Sequence, residues 1–195
     1  QSFLNLSTEI PVSANELARI GEVAGQLGIK TENIVDFTKT IADLGATTNL
    51  SSEEGAASLA QFMAVMGTSQ SSIRNLGSTL VELGNNFATN EKSIVEMSQR
   101  LSGMGKQTNM SEADVLGLAA AMSTVGIEAE AGGSAMTQVM TKMQNAVMSG
   151  GENLGKFAKA AGVSASEFAN AFNNRPVEAL GLVLKGLKNV KESGG

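Results

Sequence analysis

Apolar residues recur along this chain at three- and four-residue intervals, the period of one helical face. Leu17, Ile20, Ala24 and Leu27 fall on one face, with Ser13 and Glu16 spaced as a capping box before them and Gly28 after them. Ile34, Phe37, Ile41 and Leu44 form the next stripe, with Thr31 as its cap and Gly45 as its stop. Ser51 and Glu54 open a third helix, whose buried face is Ala56, Leu59, Met63 and Met66 and whose end is Gly67. Three further stripes follow, starting near Ser71: Ile73, Leu76, Leu80, Leu83 and Phe87; then Ile94, Met97, Leu101 and Met104 up to Gly105; then Val115, Leu118, Met122 and Val125 behind Ser111 and Asp114, up to Gly126. Residues 127–133 read as a short acidic, Gly-rich link, and 134–149 as a Met-rich helix with Met136, Val139, Met143 and Val147 inward. Gly150 and Gly151 break that helix. Short helices are expected over 154–161 and, behind a Ser164/Glu167 capping box, around Phe168 to Phe172. Pro176 suits the first turn of a last helix carrying Leu180, Val183, Leu184 and Leu187. No segment alternates apolar and polar residues long enough to make a strand. The expected fold is all-α, with about ten short amphipathic helices.

The pattern repeats. NIVDFTKTIADLGATTNLS (33–51) aligns without a gap with SIVEMSQRLSGMGKQTNMS (93–111), and six of the nineteen pairs are identical. The first helix of each copy matches more weakly, through Ile20/Leu80, Val23/Leu83 and Leu27/Phe87. The predicted organisation is a lead-in (1–13), a three-helix unit (14–67), its second copy (71–126), a C-terminal helical segment (127–191) and a tail (192–195). What is duplicated is a helix, its stop and the start of the next helix. It carries no reacting group, which points to a scaffold.

Composition narrows the chemistry. The chain has no Cys and no His, so disulfides, thiolate metal sites and His-dependent nucleophile systems are excluded. No cofactor and no metal is expected. With no Trp or Tyr and seven Phe, the core must be built from Leu, Ile, Val, Met, Ala and Phe. Net charge is −5 and uneven: residues 1–140 hold 15 acids and 7 bases (−8), residues 141–195 hold 4 acids and 7 bases (+3). An acidic body argues against specific nucleic-acid binding. Residues 1–10 lack a basic start, so no signal peptide is expected, and the longest uncharged run, 55–73, is too polar for a membrane span.

Three carboxylate pairs are candidate sites. Glu53/Glu54 and Glu112/Asp114 sit in helix first turns, where the macrodipole favours acids. Glu128/Glu130 lies in the expected link and has no evident capping role. The Gly-rich stretches have neither the lysine nor the preceding strand of a phosphate loop. The Met stripe reads mainly as core. Exposed apolar residues for self-association or partner binding are expected among Met136, Met140, Met143, Val147, Leu180, Val183, Leu184 and Leu187.

Several stretches carry a resemblance: ELARIGEVAGQLGI (16–29), NIVDFTKTIADLGATTNLSSEEGA (33–56), LGSTLVELGNNFATNEKSIVEMSQRL (76–101), GLAAAMSTVGIEAEAGGSAMTQVMTKM (117–143), FAKAAGVSASEFANAF (157–172) and RPVEALGLVLKGL (175–187). In order and spacing the chain resembles the helical core of phage tail tape measure proteins, over roughly residues 14–190. The resemblance implies a non-enzymatic virion protein in the lumen of the tail tube that sets tail length, nucleates tube assembly and leaves ahead of the DNA. It implies contacts with tail-tip or baseplate and tube proteins, a homo-oligomer, and contact with the host membrane during ejection. The family supplies no catalytic residues for this core. Two other readings stay open: a membrane-active element forming a path for DNA across the envelope, and a cell-wall hydrolase using Glu128 and Glu130.

Overall fold

Small polar side chains set where the helices begin. Ser13, Ser51, Asn90, Ser111 and Ser164 each accept a hydrogen bond from the backbone N–H three residues on. Each such cap is worth about 1 kcal/mol. At Ser111/Asp114 and Ser164/Glu167 the acid also accepts from the cap's own N–H, which completes the capping box. Glu16 does not reach back to Ser13. Its carboxylate accepts from the Ser52 hydroxyl instead, 3.2 Å away.

The computed structural model describes residues 3–192. Within them are eleven α-helices and no strand: α1 (Phe3–Glu9), α2 (Ala14–Gln26), α3 (Thr31–Thr47), α4 (Ser52–Met66), α5 (Ile73–Asn86), α6 (Glu91–Gln107), α7 (Glu112–Thr124), α8 (Ala129–Ser149), α9 (Gly151–Ala161), α10 (Ala165–Asn174) and α11 (Pro176–Glu192). A 3-10 turn, Gln70–Ser72, leads into α5. The expected all-α architecture is observed. The tail at 193–195 lies outside the described residues.

Helices α2, α3 and α4 pack on one another, as do α5, α6 and α7. The two triplets then dock through α3 on α5 and α4 on α6. Equivalent positions of the repeat fill equivalent core sites: Phe37 and Met97, Ile41 and Leu101, Leu44 and Met104, and Leu50 and Met110 are all buried. Helix α8 packs on α6, as α5 packs on α3, but among the described residues no later helix packs on α7 as α6 packs on α4. Helices α9, α10 and α11 form a last mutual cluster joined to α8. The buried apolar residues make one cluster reaching from Leu6 to Val183.

The lead-in holds α1, whose Leu6 is buried and whose Phe3 ring lies against Gly21. Four local expectations are corrected. Thr31 is the first residue of α3 rather than its cap. The N-cap residue is Lys30, whose N–H donates to Gln70 Oε1 at 2.8 Å while Gln70 Nε2 donates to Gly28 O at 2.9 Å. Gly45 and Gly105 do not stop their helices, which run on to Thr47 and Gln107. These glycines let the next helix come close: a Cβ on Gly45 would strike Ser52, and one on Gly105 would strike Val115. The C-cap positions are held by another repeated pair, Thr48 and Thr108, whose hydroxyls donate to the Leu44 and Met104 carbonyls at 2.7 and 2.9 Å. The expected link 127–133 is mostly helix, since α8 starts at Ala129 and carries Gly132 and Gly133 against Ile127 and Arg100. Finally, Phe87, Val125 and Val139 were placed inward and are exposed.

Candidate functional site

Contact surfaces are the functional candidates, because each carboxylate pair sits at a helix start. Glu53/Glu54 and Glu112/Asp114 lie in first turns of α4 and α7. Glu128 occupies the N-cap position of α8 and Glu130 its first turn, both exposed, so the helix terminus accounts for them as it does for the other pairs. Among the described residues no group of three or more acids is arranged to hold a metal ion. A cleft of about 490 Å³ between α3 and α5 is lined by both signs of charge, Lys39 and Arg74 with Asp43 and Glu82. It shows no sorting of charge that would select a ligand.

The C-terminal half is more differentiated. Ser149 ends α8, and Gly150 and Gly151 turn the chain with φ of +67° each, a region that costs residues with a Cβ. Helix α9 therefore folds back beside α8. Phe157 of α9 stacks on Phe168 of α10, with ring centroids 5.9 Å apart and planes 6° apart. Helix α11 presses on α9 so closely that a Cβ on Gly186 would overlap the Ala160 carbonyl. Between α8, α9 and α11 a groove of about 500 Å³ remains open. Phe157, Ala160, Ala146 and Val183 supply apolar lining, Leu187 stands at 53% exposure, and Lys142 and Lys156 add positive charge. No acid lines it, though Glu152 pairs with Lys156 at 2.8 Å.

The eight residues expected to meet partners divide. Met140 and Met143 are fully buried, and Leu180 and Val183 nearly so, at 2% and 5%. They face the core because α8 and α11 are each covered along that side, so Met140, Met143 and Leu180 offer a partner nothing in this fold. Met136 and Val147 are half-buried against the core. Leu184 and Leu187 are exposed. Phe157 and Lys142 are groove residues that the sequence did not single out, while Lys156 belongs to the basic tail that the sequence offers to an acidic partner. The only signal for the two lysines was the basic balance of the last quarter of the chain. Val125 is missed as well, because its stripe spacing points inward.

These features define an all-α helical packing module. The sequence matches the phage-related minor tail protein family over residues 1–194. The chain belongs to that family, and is thus a structural component of a phage tail. No curated protein and no solved structure matches it significantly.

Proposed function

We propose that this chain is the helical core of a tail tape measure protein. In that role it sits in the lumen of the tail tube, helps to fix tube length, nucleates assembly at the tip and leaves before the DNA. The observation that carries the reading is the family match over nearly the whole chain, joined to the motif resemblance that singles out tape measure proteins within tail components. The duplicated helical architecture supports it, since repeated packing units suit a scaffold. Its partners in this reading are tail-tip and tube proteins and further copies of itself, met through the exposed apolar residues of α8 and α11. Contact with the host membrane belongs to the ejection step. No helix among the described residues is long and apolar enough to cross a membrane, so a spanning role finds no support there.

The test is genetic. In-frame deletion of residues 14–126 in the phage should abolish tails or leave them irregular in length, as measured by electron microscopy of particles. Uniform tails of wild-type length after that deletion would remove the proposal.

A further inference from the structure

The groove between α8, α9 and α11 has a complementary surface on the same chain, at the far end of α8. There Val125 is 71% exposed and Ile127 42% exposed, both at the turn from α7 into α8. Exposed Glu128 and Glu130 follow this turn directly in the chain, and they line a cleft together with Glu96 and Arg100. The turn is thus an exposed apolar knob with acids next to it in the chain. The groove offers the inverse, an apolar slot (Phe157, Val183, Leu187) with Lys142 and the Glu152-paired Lys156 at its margins.

A single copy cannot bring the two together. Helix α8 has 21 residues, so its ends stand roughly 30 Å apart. The knob adjoins its N-terminus and the groove its last two turns. The charge of the whole chain is sorted in the same sense: −8 over residues 1–140 and +3 over residues 141–195. Like surfaces repel and unlike surfaces attract, so a two-fold pairing of groove on groove or knob on knob brings equal charges together.

We propose that copies of this chain associate head to tail, with the Val125–Glu128 knob of one copy seated in the Phe157/Leu187 groove of the next. The contact is heterologous, so each added copy leaves one knob and one groove free. The assembly either closes into a ring or extends as a row. The contact stands on shape and charge and holds whichever tail role the chain plays. Tail-length measurements and association measurements can therefore fail independently.

Sedimentation of the purified chain tests it. Association should rise with protein concentration and weaken as salt increases from about 0.05 M to about 0.5 M, since the charges at the margins are exposed. Val125→Asp and Leu187→Asp should each weaken association by about tenfold or more. Both positions are exposed, and unchanged circular dichroism of each variant checks that it folds. The decisive sample is a mixture. Val125→Asp retains a groove and Leu187→Asp retains a knob, so together they should form one-to-one pairs that grow no further. Glu128→Lys mixed with Lys142→Glu supplies a charge-swapped contact and should associate more tightly than wild type mixed with either. A wild-type chain that stays monomeric at its solubility limit overturns the proposal. So does a folded Val125→Asp that associates as wild type does, or a mixture that stays monomeric.

Discussion

Thr38 and Ser98 occupy the same position in the two copies, and both side chains are buried. Ser98 donates to the Val95 carbonyl at 2.8 Å, while Thr38 Oγ1 has no partner. An unpaired buried hydroxyl carries a desolvation cost of about 1–3 kcal/mol. Thr38→Val keeps the shape and removes the polar atom, so it should stabilise the fold by about 1 kcal/mol. Ser98→Ala removes a satisfied bond and should destabilise by about 1 kcal/mol. Urea titrations of both variants give the two signs; Thr38→Val that destabilises would contradict this account. The capping acids predict a pH effect. The Ser164 hydroxyl, then the Ser164 backbone N–H, hold the Glu167 carboxyl below its ordinary range. The Ser51 hydroxyl, then Lys92, do the same for Glu54. Because the folded values are lowered, this stability is fully present above the ordinary glutamate pKa of about 4.3 and fades as pH falls through the lower folded values. Glu167→Gln should flatten part of that acid loss in a series of melting curves at falling pH.

At the scale of elements, the tightest contact is between α9 and α11. Gly186→Ala would drive a methyl group into the Ala160 carbonyl, and backbone cannot step aside as a side chain can. We expect a destabilisation of about 1–3 kcal/mol despite the better helix propensity of alanine. Thermal unfolding measures it, and an unchanged midpoint would show that the helices sit further apart. Helices with a serine cap and a long stripe were legible in the sequence, because both signals are local. Helix α1 was not: it is seven residues long, has no capping pair and holds Asn5, Ser7 and Thr8, which are weak helix formers. The glycines misled at Gly45, Gly105, Gly132 and Gly133, where the chain uses the missing side chain for close packing and not for a turn. At the ends of α3 and α6 the repeat holds another identical pair, Thr48 and Thr108. The groove was half legible. Val183 and Leu187 lie on a visible stripe, but Phe157 and the two lysines join them only through the folding back at Gly150, which no spacing encodes.

For the whole molecule, ion pairs and hydrophobic burial have separable roles. The six ion pairs found among the described residues are all at least a third exposed. Exposed pairs contribute about 0–1 kcal/mol each and are screened by salt. The apolar cluster is continuous from α1 to α11. Raising salt should therefore shift the melting midpoint little, and unfolding should follow one cooperative transition. Two resolved transitions in calorimetry would mean that the C-terminal cluster unfolds on its own. The packing of α8 on α6 has a corollary: α8 closes the two-unit stack at that end and is the helix through which the C-terminal cluster is joined to it.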